Sequence, residues 1–170
     1  MTSLEFRSDN CGRAAPELIE ALAQANTGSV LGYGGDGHTQ QLQARFSALF
    51  EHPVQVFPVP TGTGANALAL AAVGSPFGAV YCSPEAHINT SECNATSFFG
   101  SGLKVTPVPG IDGKIDPSAL EYALSTSGKG QAHKNQPQAI NLVQATDLGA
   151  VYSVAEVKAL SKIACAHEIV

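Results

Sequence analysis

Thr61-Gly62-Thr63-Gly64-Ala65-Asn66 has the residue types of a turn that holds an anion. An apolar run, Val54-Gln55-Val56-Phe57, precedes it and small and apolar residues follow, which predicts strand, turn and buried helix. The first N–H groups of a helix have no intrahelical acceptor, and the aligned peptide dipoles add positive potential there. Gly62 and Gly64 would let an anion approach the backbone, while Thr61 and Thr63 offer hydroxyls as donors or helix caps. A Walker loop needs Lys and then Ser or Thr after its last glycine, and Ala65-Asn66 stand there instead. The spacing of a dinucleotide fingerprint is also missing. A capped helix behind a sheet, with glycines for close packing, accounts for the same residues equally well.

His87 is the second candidate for chemistry. It follows Ser83-Pro84-Glu85-Ala86, a polar loop after the short predicted strand Val80-Tyr81-Cys82. The carboxyl end of a strand is where α/β sheets bind ligands, whereas a histidine in a polar loop is more often a solvated surface residue. Gly32-Tyr33-Gly34-Gly35-Asp36-Gly37 matches G-x-G-x-x-G, but a helix and a polar turn precede it, and no acidic residue stands about 20 positions on. It reads as a flexible loop that sets Tyr33 among glycines. Cys11, Cys82, Cys93 and Cys165 are scattered with no C-x-x-C pair, so neither a disulfide framework nor a zinc site is expected. The sequons at Asn89 and Asn94 are then coincidental.

These residues need elements to position them. Helices are expected over 16–26, with Pro16 at the start, and over 39–51, with Leu42, Phe46, Leu49 and Phe50 facing inward. After the turn, the pattern predicts a helix over 88–98, a strand over 104–108, a turn at 111–114 and a helix from Asp116-Pro117 to about Ser125. A mobile Gly/Lys/Asn loop over 127–136, a strand over 139–143 and a helix from the cap Ser153 to His167 complete the series. Alternating strands and helices predict an α/β domain with a mainly parallel sheet. Glu168-Ile169-Val170 reads as the first step of another strand, as expected for part of a larger protein.

Composition narrows the class. The 170 residues are 44% apolar and 14% charged, enough for a real core. A net charge of −5 without any Lys/Arg cluster argues against a nucleic-acid partner. No run approaches the ~18 apolar residues of a membrane span, and the first residues lack a signal-peptide plan, so a cytoplasmic address with no membrane partner is expected.

With the segments placed, the sequence resembles the threonine aldolases of the β-eliminating lyase superfamily. The resemblance rests on Arg7-Ser8-Asp9-Asn10, Tyr33-Gly34-Gly35-Asp36, Thr61-Gly62-Thr63-Gly64-Ala65-Asn66 and Glu85-Ala86-His87 with Glu92 after it. Gln144-Ala145-Thr146-Asp147-Leu148-Gly149, followed by Val151-Tyr152-Ser153, completes the set in family order. It implies the aspartate-aminotransferase-like fold of pyridoxal 5'-phosphate (PLP) enzymes, with residues 1–170 as the N-terminal portion of the cofactor-binding large domain. The implied reaction is retro-aldol cleavage of L-threonine, L-allo-threonine and related 3-hydroxy amino acids to glycine and an aldehyde. By the same resemblance Thr61, Gly62 and Thr63 cradle the cofactor phosphate, and His87 stacks on its ring and helps move the substrate hydroxyl proton. Thr146 and Asp147 lie near the ring, Ser8 binds the substrate carboxylate, and Tyr33 reaches into a neighbouring subunit's site, which implies a homodimer or homotetramer. No metal is implied.

The sequence departs from the family at Gly35, where a second acidic residue is usual beside Asp36, and at Gly64, where relatives often carry a larger residue. The family's Asp-Gly-Ala-Arg segment and its Schiff-base lysine have no counterpart up to Val170. The chain by itself is therefore expected to be inactive, and its fold compromised at the strand begun near Ile169. A non-catalytic α/β module that binds a phosphate compound or a partner, or another β-eliminating PLP lyase, is the alternative.

Overall fold

Gly78–Cys82 form β1, a strand buried along its whole length. Such a strand needs a neighbour on each edge and a layer on each face. A computed structural model of the chain, which describes residues 11–170, supplies both. β2, Lys104–Pro107, and β5, Gln136–Ile140, flank β1 in parallel in the order β2-β1-β5. Alternate β1 side chains point to opposite faces. Ala79 and Tyr81 join one core with Leu120, Leu124, Tyr152 and Leu160. Val80 and Cys82 join another with Leu70, Ala86, Ile88 and Leu103.

The helices follow from local signals. α3, Gly62–Val73, lies on the Val80 side, and it leads back to the start of β1. The expected single helix over 88–98 is instead two short ones, α4 at His87–Thr90 and α5 at Ala95–Phe99. Between them Cys93 (φ 51°) and Asn94 (φ 62°) adopt the left-handed conformation, which no helix continues through. α6, Pro117–Ser125, starts where expected, with Asp116 Oδ1 accepting from Ala119 N at 2.7 Å. α7, Val154–Ala166, carries the full capping box of Ser153 and Glu156. The connection from β1 to β2 runs over the α4–α5 face, and the return past β1 to β5 runs over the α6 face. A constant crossover hand requires this change of face when the direction reverses.

β3, Gly110–Ile111, and β4, Lys114–Ile115, form a hairpin around the expected turn. Its central residues, Asp112 (φ 55°) and Gly113 (φ 76°), carry the positive φ values that match hairpin twist. The strand expected over 139–143 starts three residues earlier, because Gln136 pairs with Gly78 at the start of β1. The loop over 127–136, expected to be mobile, is tied internally by the Gln136 amide. Its Oε1 accepts from Gly130 N at 2.7 Å, and its Nε2 donates to Lys134 O at 2.9 Å. Val170 bonds to β5 through Val170 N to Gln138 O (3.0 Å) and Ile140 N to Val170 O (2.8 Å), as a further strand would.

Residues 58–170 form one compact unit and the chain before them another. In the first unit, α1 spans Pro16–Ala25 and α2 spans Gly37–Leu49, capped by Asp36. Of the α2 residues expected to face inward, Leu42 is half-buried while Phe46, Leu49 and Phe50 are exposed, and the α1 residues Leu18 and Leu22 are exposed as well. Two helices without a sheet cannot close a core around both stripes. Residues 54–57 form no strand either. Val54 N donates to Ser47 Oγ (3.1 Å), and the Gln43 amide accepts from Val56 N (3.0 Å), so α2 side chains take the place of a ladder. Residues 7–10, with Ser8, lie outside the described residues.

The α7 cap makes acid stability testable. Hydrogen bonds from Lys114 and from Ser153 hold the Glu156 carboxyl down at about 2, from an ordinary 4.5. A depressed carboxyl stabilises the fold above its unfolded value, and that contribution fades as pH falls from about 4.5 to 2. Denaturant midpoints measured down through that window should fall more steeply for the parent than for Glu156→Gln. Parallel curves would remove the linkage.

Candidate active site

The Thr61 turn combines a cap with open donors. Thr61 is extended (φ −142°), and its Oγ1 accepts from Gly64 N at 3.0 Å while its carbonyl accepts from Ala65 N at 3.0 Å. The N–H groups of Gly62 and Thr63 precede the first α3 hydrogen bond and have no acceptor within the helix. A Cβ on Gly62 would meet nothing within 4 Å, so this glycine does not serve close packing within the chain. At Gly64 a Cβ would come within 3.1 Å of the Thr61 hydroxyl, so the small residue there leaves room for the cap. An exposed helix N-terminus with two donors unpaired among the described residues is suited to a phosphate.

Parallel packing brings His87 to this end of the molecule. α3 runs antiparallel to β1, so its N-terminus lies towards the carboxyl end of the strand, where residues 83–86 lead into α4. The link is direct. Asn66 Nδ2, in α3, donates to Glu92 Oε1 at 2.6 Å, and the same oxygen lies 2.8 Å from His87 Nδ1. The Glu92 side chain is 0% exposed and that of His87 is 50% exposed, so a buried carboxylate anchors an imidazole that is open on its other side.

Sequence reasoning gave Asn66 and Glu92 no role, although both stand in the motifs. A signal existed for Asn66. It shares a face of α3 with buried Leu70, four residues on, and a polar group among inward residues needs a partner. Glu92 gave none, because its burial depends on the break between α4 and α5.

The remaining expected residues are less concentrated. Thr146 is buried in the loop after β5; its Oγ1 donates to Asp112 O (2.8 Å) and accepts from Ala150 N (3.0 Å). Its hydroxyl thus ties that loop to the β3–β4 turn, where a Cβ on Gly113 would come within 3.1 Å of that oxygen. Asp147 is exposed next to it. Both follow the carboxyl end of β5, the neighbour of β1, and the chain reverses direction between these two strands. Ligands of open α/β sheets bind at such a crevice. Tyr33 belongs to the first unit, where it is exposed with φ 56°.

Two other chemistries lack support. Burial pushes the Cys82 thiol up to about 11, which leaves it a packing group rather than a nucleophile. No cluster among the described residues could hold a metal ion, and no described helix is long and apolar enough to cross a membrane.

Comparison with known proteins agrees with this geometry. The family model of the beta-eliminating lyases matches residues 5–170. A low specificity L-threonine aldolase of Pseudomonas aeruginosa is 39% identical over 158 residues, covering 92% of this chain and 45% of that protein. Another, from a Pseudomonas species, is 37% identical over 160 residues, with 94% and 45% covered. The solved threonine aldolase of Leishmania major superposes with a TM-score of 0.82 at 27% identity, covering 91% of this chain and 44% of that one. The chain therefore spans less than half the length of these relatives. The parallel sheet with flanking helices is the aspartate-aminotransferase-like fold expected from the sequence. By its fold and by a family match along nearly all of its length, the chain belongs to the beta-eliminating lyases.

Proposed function

We propose that the protein carrying this chain is a PLP-dependent aldolase that cleaves L-threonine and related 3-hydroxy amino acids to glycine and an aldehyde. The observation that carries this reading is the hydrogen-bonded link from α3, whose N-terminus is open, through Asn66 and Glu92 to His87. The names of the two Pseudomonas relatives support the substrate class. The residues present fit the cofactor: the N–H groups of Gly62 and Thr63 have no partner among the described residues, a Cβ on Gly62 would meet nothing within 4 Å, and His87 offers a half-exposed imidazole.

In this reading the Thr61 cap fixes the turn, and Gly62 and Thr63 bind the phosphate. When bound, the cofactor supplies the electron sink for breaking the Cα–Cβ bond. His87, held at Nδ1 by Glu92, has Nε2 left to take the proton of the substrate β-hydroxyl. Thr146 steadies the loop that presents Asp147 to the cofactor ring, Ser8 binds the substrate carboxylate, and Tyr33 completes a neighbouring subunit's site in a homodimer or homotetramer. Residues 1–170 are then the N-terminal portion of the cofactor-binding domain of a cytoplasmic enzyme.

Gly62→Asp tests the phosphate site. A carboxylate at the first helical position occupies the open space and repels the phosphate. The helix itself gains about 0.3–1 kcal/mol from a negative charge there. PLP affinity, measured by equilibrium dialysis, should fall at least about tenfold, since a helix terminus contributes up to ~2 kcal/mol to an anion. Affinity for pyridoxal, which lacks the phosphate, should stay the same. Unchanged PLP affinity would remove the turn from the site, and the absence of PLP-dependent acetaldehyde release from L-threonine by the full-length protein that carries this chain would overturn the aldolase reading.

A further inference from the structure

Glu92 is buried with its two oxygens in unequal positions. Oε1 receives the Asn66 amide at 2.6 Å and lies 2.8 Å from His87 Nδ1. Oε2 is fully enclosed and has no hydrogen-bond partner among the described residues. A proton on Oε2 would have no acceptor among the described residues, and Oε1 already receives the Asn66 N–H. An ionised carboxylate can only accept. With Glu92 ionised, the proton between Oε1 and Nδ1 belongs to the imidazole.

We propose that Glu92 is a positioning residue that holds His87 as its Nδ1–H tautomer, with Nε2 as the proton acceptor on the exposed side, and that Asn66 locks Glu92 in this role. The histidine side chain in water prefers the opposite tautomer, with the proton on Nε2, which could not accept a proton at that atom. The bond from Asn66 also ties the imidazole to the helix that begins at the phosphate turn, so both parts of the site share one support. A carboxylate on the far nitrogen commonly fixes both the tautomer and the ring plane of a working histidine. The inference rests on the aldolase reading for its catalytic meaning. Its geometry and its test do not.

The test is the ring-nitrogen spectrum of His87 in 15N-labelled protein at pH 8.5, well above the ordinary histidine value of about 6.5. The sequence has five histidines, so the signals are assigned by their loss in His87→Asn. The parent should show a pyrrole-type Nδ1 and a pyridine-type Nε2. In Glu92→Leu the two should exchange character, and Asn66→Ala should move the balance in the same direction with both other groups still present. A parent with its proton on Nε2, or on both nitrogens, would overturn the proposal. So would an unchanged tautomer in a folded Glu92→Leu. If Glu92→Leu does not fold, the parent spectrum and Asn66→Ala decide, and an Asn66→Ala balance equal to the parent's removes Asn66 from the lock. Failure of the aldolase reading is seen separately, as an Nδ1–H tautomer in a full-length protein that releases no acetaldehyde.

Discussion

On the aldolase reading, His87→Ala in the full-length protein is expected to lower kcat for L-threonine cleavage by about 10²–10⁴-fold, the usual contribution of a positioned acid–base group. PLP should still bind, because the Thr61 turn is unchanged. The effect comes from what the imidazole can reach: Glu92 holds one nitrogen at 2.8 Å, and the half-exposed ring keeps the other free. Alanine also removes a partner from a buried carboxylate, at a stability cost of about 1–3 kcal/mol, so thermal midpoints must accompany the kinetics. His87→Phe separates ring from nitrogen. It keeps a flat surface against the cofactor and has no proton acceptor, so its kcat should fall like that of alanine while its PLP affinity stays nearer the parent's. A kcat within threefold or so of the parent in both variants would mean that the hydroxyl proton leaves by another route.

The second large effect is in the core. Leu120 in α6 is 0% exposed and packs with Leu124, Leu160 and Tyr152 between the sheet and two helices. Leu120→Ala should cost about 2–5 kcal/mol, from lost transfer energy and the cavity left behind. Against a typical domain stability of about 5–15 kcal/mol, that is a large share of the total. Leu68→Ala is the control, since Leu68 in α3 is 57% exposed and should cost no more than about 0.5 kcal/mol in this chain. Urea midpoints of the two variants decide the matter. Equal shifts would mean that the Leu120 cluster is not the centre of the fold.

Several features were legible because their causes lie within a few residues. Asp116-Pro117 and the Ser153–Glu156 pair announce helix starts, since a cap and its acceptor N–H are three positions apart. Asp112-Gly113 announces a turn because glycine accepts positive φ freely and aspartate tolerates it. The turn over 61–66 was visible for the same reason, as a run of helix-capping and small residues at one point in the chain. Family resemblance extended this to the fold and to the order of the motifs.

Other features depended on residues far apart. The 88–98 segment reads as one helix until Cys93 and Asn94 take positive φ, a break flanked by the buried Glu92 and Thr96. Residues 54–57 alternate well enough for a strand, yet a strand forms only beside a partner, and the described residues offer none. The stripes of α1 and α2 are periodic, but periodicity does not supply the surface that would cover them. Above all, Asn66 and Glu92 are 26 positions apart, and only the folding of α3 against α5 beside β1 brings their side chains to 2.6 Å. The sequence determined which groups could do chemistry and which local turns would present them. The tertiary structure alone decided which carboxylate stands behind His87, because a hydrogen bond between distant positions exists only once the sheet and its helices have closed around it.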